Sequence, residues 1–376
     1  MRNILTIKML IKRLLLPSAF LFMVFVQGCA EKAPVMADGE SKMILRAYYN
    51  SSADSVPHYV PMANAKVILQ CEYGYMVKST DANGVMELND LPCAVYNVSV
   101  RMQHPADQSI TLVGTKLSVS TSMDKTAIDT IIARPVSNSG ISINEIYAVG
   151  PVSNLYFYDQ FIELYNSSDS VKYLDGMMVM RVTGNGTTDG HKGPGADEGD
   201  DGDMDGVTFV FKFPGKYGEK NYPFLPGKFL VLAQNAMNHK TNYSTSVDLS
   251  HADWEFYSQY SATDIDNPNV PNLLNLRPDK PSDFMVALTS DVVVIANGKD
   301  ENWQDGVDIS TILDGIEYQR TATSEKTLDS RIDRGFVLAP PMYSGKSLQR
   351  REAGVDTNDG SLDWEILSHP TPGYQK

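Results

Sequence analysis

The sequence predicts an all-β protein built as two β-sandwich domains. Three observations point there. Short segments alternate apolar and polar residues with period two, the mark of half-buried strands. Clusters such as Asp81-Ala82-Asn83-Gly84 and Asn89-Asp90 supply turns between them. The stretch from Met43 to Ala133 shows no amphipathic helix. At 376 residues the chain has length for two domains. Its 42% hydrophobic and 21% charged residues suit buried cores. A formal charge of -14 argues against a nucleic-acid or anionic-membrane binder, because phosphate attraction needs clustered Lys and Arg.

The chain opens with Arg2, Lys8, Lys12 and Arg13, then an apolar run from Leu14 to Val26. A bilayer span needs about 20 residues, and this run has 13, so residues 1–28 are expected to be a secretory signal peptide. The run ends in Val26-Gln27-Gly28-Cys29, which resembles the bacterial lipobox. That resemblance implies lipidation of Cys29, which would anchor the chain in a membrane through its acyl chains. The alternative is an ordinary signal peptide with an incidental cysteine. Removing residues 1–28 takes away four basic and no acidic groups, which shifts the net charge from -14 to -18. Residues 29–41, small and polar with Pro and Gly, read as a flexible tether.

Residues 42–135 read as the first sandwich. Val67, Leu69 and Cys71 share one strand face; so do Tyr96, Val98, Val100 and Met102, and so do Leu117 and Val119. Thr80 with Gly84-Val85-Met86, and Leu91-Pro92 followed by Tyr96-Asn97-Val98, resemble carboxypeptidase-regulatory-like (transthyretin-type) domains. The usual Gly before the Tyr is replaced by Ala94-Val95. Such domains are spacers without catalytic residues of their own. In an exported protein Cys71 and Cys93 are candidates for a disulfide; two free thiols are the alternative.

After a polar break, residues 141–376 read as the second sandwich. Ile143-Asn144-Glu145-Ile146, Phe161 to Asn166, Leu174-Asp175-Gly176, Pro226-Gly227-Lys228, Asp314-Gly315, Ser347 to Arg350 and Pro370-Thr371-Pro372-Gly373 follow one another in order. Together they resemble a lamin-tail domain, an immunoglobulin-like sandwich. The stretch is expanded relative to such domains, with the surplus expected as loop insertions at Gly184–Gly206 and Asn238–Asp308. Ser250–Tyr260 is expected to hold a short helix. Asp356–Gly360 is expected to be a hairpin turn before the last strand.

Several residues could carry chemistry. Asp201, Asp203 and Asp205, with Gly206, fit D-x-D-x-D-G, so they are candidate Ca²⁺ ligands. The twelfth position is Lys212, where an EF-hand has Glu, so a solvated loop is the alternative. Trp254, Phe256, Tyr257 and Tyr260 could contact a ligand or form a small core. Met178 and Met180 share a strand face and are expected in the core. Ser55, Thr130 and Ser170 each follow an Asp and precede an aliphatic residue, a pattern that resembles the O-glycosylation acceptor of Bacteroidota; plain turns are the alternative. The six His residues are scattered, and the sequence has neither H-E-x-x-H nor G-x-S-x-G.

The order of lipobox, regulatory-like module and expanded lamin-tail-like module resembles a family of Bacteroidota lipoproteins. That resemblance implies a non-enzymatic outer-membrane or cell-surface lipoprotein. It further implies a binding or accessory role beside a TonB-dependent transporter that takes up a glycan, haem or an iron chelate. No cofactor is expected beyond the candidate Ca²⁺. The competing classes are a Ca²⁺-supported surface hydrolase and a structural adhesin or spacer.

Overall fold

A computed structural model describes residues 39–52, 56–106, 111–123, 125–136, 140–152, 155–183, 193 and 195–376. Residues 1–38, which include Cys29 and the stretch expected to be a signal peptide, lie outside them, as do Ser55 and most of the Gly-rich half of the acidic loop. The fold is an all-β sandwich architecture, and residues 36–376 fall in one compact unit.

The first sandwich uses β1 (Ser41–Asn50), β2 (Tyr59–Pro61), β3 (Lys66–Cys71), β4 (Gly74–Ser79), β5 (Val85–Leu91), β6 (Val95–Gln103), β7 (Thr111–Ser120) and β8 (Thr126–Val136). β1 pairs with β2 and β5 along one edge and, in parallel, with β8 along the other. β8 then continues into the second layer, β8-β7-β6-β3-β4. The strict alternation of β1 sends Met43, Leu45, Ala47 and Tyr49 inward, where they meet Val67, Leu69, Tyr96, Val98 and Val100. Gly84 makes the turn at φ +73, and a Cβ there would lie 2.6 Å from the Ala47 carbonyl oxygen. Thr80 ties the hairpin by donating to the Met62 carbonyl at 2.5 Å and accepting from the Ala65 amide.

One alternation fails. Leu117 and Val119 do not share a face: the β6–β7 register shifts beside them, and Ser118 takes φ +57. A β-bulge of this kind inserts an extra residue. Val119 stays in the first core while Leu117 turns to the second sandwich.

The second sandwich runs β9 (Ile141–Tyr147), β10 (Phe161–Asn166), β11 (Lys172–Tyr173), β12 (Met178–Val182), β13 (Asp203–Met204), β14 (Val207–Lys212), β15 (Pro223–Phe224), β16 (Phe229–Ala233), β17 (Trp254–Glu255), β18 (Leu274–Asn275), β19 (Asp291–Ala296), β20 (Val307–Asp308), β21 (Ile312–Gln319), β22 (Val337–Leu338), β23 (Ser347–Arg350) and β24 (Trp364–Leu367). One six-stranded sheet is β17-β16-β10-β9-β23-β24; the other is β18-β14-β12-β19-β21-β22. Their facing sides hold Ile143, Leu164, Val179, Phe211, Leu232 and Trp364.

The outer faces are also covered. Met178, Met180 and Val294 pack under Met204, Leu328 and Ile332, and Phe161 and Val231 pack under Val247, Leu249 and Val270. The expected insertion at Asn238–Asp308 is thus more than surface loop. It roofs one sheet and supplies β19, a central strand of the other.

The two sandwiches pack directly on each other. Tyr165, Phe229, Ala353 and Leu117 form one apolar contact, and Val113 and Val355 another. The buried Tyr165 and Ser99 hydroxyls are 2.8 Å apart, and Thr115 donates to the Ala353 carbonyl at 2.8 Å. Within the second sandwich, Gly354 at φ +73 lets Ala353 and Val355 reach this contact, since a Cβ there would sit 2.3 Å from the Ser167 Cβ. Arg134–Glu352 and Lys66–Asp169 ion pairs rim the contact. The sandwiches are therefore expected to unfold in one calorimetric transition, with Tyr165→Phe costing about 1 kcal/mol. Two resolved transitions would show that this interface does not couple them.

Candidate functional site

The segment expected to carry ligand-binding aromatics is mostly core. No helix forms at Ser250–Tyr260; Trp254 and Glu255 pair as β17 beside β16. Trp254 and Phe256, two apart on extended chain, face the same way. Trp254 meets Phe213 and Tyr222 edge-on, and Phe256 stacks on Phe284 at 4.1 Å between centroids. Both are buried and face away from solvent. Tyr257 is half-buried and Tyr260 exposed. Glu255, on the opposite face, accepts the Ala236 amide at 2.5 Å and the Asn267 amide at 2.9 Å. It anchors the roof of the sheet.

The acidic loop folds around its own backbone. Asp197 is buried and accepts the amides of Asp201 and Gly202, and the Arg331 guanidinium donates to it at 2.6 Å. Asp205 accepts the Glu198 amide. Met204 is buried under the sheet, and it and Asp203 pair with β20. Asp201, Asp203 and Asp205 do not converge; among the described residues no group of three or more acidic, His or Cys side chains is gathered for a metal. Asp201 instead accepts the Asp203 amide at 3.3 Å, and Asp205 the Glu198 amide at 2.9 Å. Partial burial, then Asp201, Asp300, Asp308 and Asp205, push the Asp203 carboxyl up.

The expected Cys71–Cys93 bridge is not formed. Cys71 ends β3 inside the first core beside Tyr96, whereas Cys93 sits exposed in the turn before β6. Thr130 and Ser170 are both exposed.

The ordered motifs of the second half converge on two buried polar clusters that the sequence did not assign. The first is centred on Arg350, 1% exposed. Its guanidinium donates to Asp314 at 2.7 Å, Asp363 at 3.1 Å, Asp356 at 3.3 Å and the Ile143 carbonyl at 2.8 Å. Burial opposes the charge, but the three carboxylates outweigh it and raise the Arg350 pKa. The Asp356–Gly360 turn is structural, as expected: Asp359 caps the helical turn Gly360–Asp363 that brings Asp363 to Arg350.

The second cluster holds Glu145 and Glu163, directly opposite each other on β9 and β10 and both fully buried. Glu145 accepts the Thr371 amide and hydroxyl and the Gln349 amide group. Glu163 accepts from Asn144 at 2.9 Å and the Gly373 amide at 2.6 Å. Burial raises both pKa values, and the facing Glu145 carboxylate adds to the effect at Glu163. These carboxylates strap the Pro370–Gly373 segment across the sheet.

Open grooves mark the surface. One of about 790 Å³ lies between the sandwiches, lined in part by Tyr59, Thr115, Arg134 and Glu352. A second of about 620 Å³ lies between β22 and β24. A third of about 380 Å³ is bordered by Tyr173, Tyr217, Lys220 and Asn297. Each joins segments distant in sequence, so no local motif announces it.

Residues 225–309 match a family described as "Protein of unknown function (DUF4876)". The chain is similar to the crystal structure of a DUF4876 family protein from Bacteroides thetaiotaomicron VPI-5482. The identity is 18%, over 86% of this chain and 94% of that one, with a TM-score of 0.54. The two similarities agree in the family description they carry, and the second shares the fold. A further similarity, to the fimbrial protein FimP from Actonomyces oris, has 11% identity over 40% of this chain and 42% of that one. Its TM-score of 0.15 is too low for a shared overall fold. No curated protein matches.

Proposed function

We propose that the chain is a non-enzymatic outer-membrane lipoprotein, displayed at the cell surface as the binding or accessory component of a TonB-dependent uptake system. Its cargo class is a glycan, haem or an iron chelate. The observation that carries the binding role is where the perturbed carboxylates are spent. Glu145, Glu163, Asp159, Asp291 and Asp333 are pushed up by burial, yet each is held by hydroxyls, amides or an arginine that serve the fold. The concave surface is instead open, and grooves of this size suit recognition. The Val26-Gln27-Gly28-Cys29 sequence supports the lipid anchor. The packed pair of sandwiches would hold such a surface off the bilayer as one stiff body.

Metabolic labelling with a palmitate analogue is expected to mark the wild-type protein and to be lost in Cys29→Ala. Labelling that persists in the variant would refute the anchor. Purified protein is expected to give no reproducible turnover on a panel of glycans, peptides and esters.

A further inference from the structure

The second sandwich is open along one side. One sheet ends at β24 and the other at β22, and among the described residues no strand pairs with the outer edge of either. The groove of about 620 Å³ between them is floored by Phe336, Val337 and Trp364. Leu338 and Ile366 stand on its two lips, 43% and 44% exposed. Natural edge strands are commonly blunted by Lys, Pro or a bulge. β24, with the sequence Trp-Glu-Ile-Leu, has no Lys, Pro or bulge, and only its four-residue length and Glu365 limit its pairing. An apolar patch rimmed by polar groups beside an unpaired edge is the setting for strand addition.

The rim has a sign. Lys326, Arg334 and Arg351 line the groove against one carboxylate, Glu365, on a chain whose overall charge is -14. Lys326 is committed to Glu317 at 2.9 Å. Arg334 gives its guanidinium to the carbonyls of Thr357 and Asn358, at 3.2 and 3.3 Å, which leaves its charge uncompensated by those contacts. Arg351 lies 3.9 Å from Glu365, with both side chains about half-exposed.

We propose that this groove takes an extended acidic strand of a partner protein, which pairs with the outer edge of β24. Its apolar side chains enter between Leu338 and Ile366, and its carboxylates meet Arg334 and Arg351. A second copy of this chain fits less well, because two-fold pairing of β24 with itself would set the same basic rim against its own image. The inference rests on the binding role proposed above and names the chemistry of one partner.

The test uses the full chain purified in detergent and a fluorescent nonapeptide alternating glutamate and valine, read by anisotropy. Saturable binding is expected, weakened at least about tenfold when lysine replaces glutamate in the peptide, and weakened by added salt. Arg334→Glu and Ile366→Asp are each expected to cost about tenfold in affinity at unchanged circular dichroism, whereas Tyr217→Ala, in another groove, leaves it unchanged. The proposal is overturned by equal binding of the two peptides, by no saturation up to about 1 mM, or by full affinity in Arg334→Glu. Dimerisation in sedimentation that Ile366→Asp abolishes would also overturn it and assign the groove to a second copy. Each of these outcomes leaves the acyl-labelling and turnover results untouched, so failure here is separable from failure of the broader role.

Discussion

Replacing Arg350 with methionine is expected to destabilise the protein by about 3–5 kcal/mol, read from urea or guanidinium unfolding. The guanidinium joins three carboxylates and the β9 backbone, and thereby bridges both sheets. Removing it leaves Asp314, Asp356 and Asp363 buried around an uncompensated gap. The cost comes from the orphaned charges more than from the ion pairs themselves, because a buried pair repays little beyond its own desolvation. Combining Arg350→Met with Asp314→Leu is therefore expected to recover part of the loss. A single-variant loss below about 1 kcal/mol would mean that water reaches the cluster and that it is not a structural hub.

Stability is also expected to fall as pH rises from 5 to 8. Burial raises the Glu145 and Glu163 carboxyls above their ordinary values, so the native state binds their protons more tightly than the unfolded chain does. Their contribution is full below the ordinary carboxylate range and is lost as pH passes the folded values. Asp159 and Asp291, each raised to about 6, and Asp264, raised to about 7, act in the same direction over the same window. A difference of one pKa unit is worth about 1.4 kcal/mol, so a decline of the order of 3 kcal/mol is expected across it. Glu163→Gln, which removes one partner of the facing pair, is expected to flatten the slope. The slope is the readout, since the variant also changes a buried hydrogen bond. A denaturation midpoint that rises from pH 5 to pH 8 would contradict this.

The sequence was most legible where one strand face meets solvent. The alternation of β3 and β6 put Val67 and Leu69, and Tyr96, Val98 and Val100, on shared faces, and these turn into the core while Lys66, Gln70, Val95 and Asn97 beside them do not. It was least legible where both faces are covered. β9 and β19 are buried at every position, so they carry no period to read. That is why Asn238–Asp308, which contains β19, looked like an insertion. The Ser250–Tyr260 helix failed because the spacing of Trp254 and Phe256 was a strand signal outweighed by a capping pattern. At the candidate site, Glu145, Glu163 and Arg350 stood in recognisable motifs. Their meeting depends on strand register and on contacts spanning some 200 residues, which local pattern does not encode. The groove beside β24 is likewise assembled from residues 322–338, 351 and 361–366.

The central claim, a surface lipoprotein that binds as part of an uptake system, is tested most directly by native affinity purification of the full chain from detergent-solubilised outer membranes. A TonB-dependent transporter is expected to co-purify in stoichiometric amount with wild-type protein and to be lost with Cys29→Ala. Recovery of the protein alone from the outer membrane, with reproducible turnover of a glycan, peptide or ester, would contradict the account.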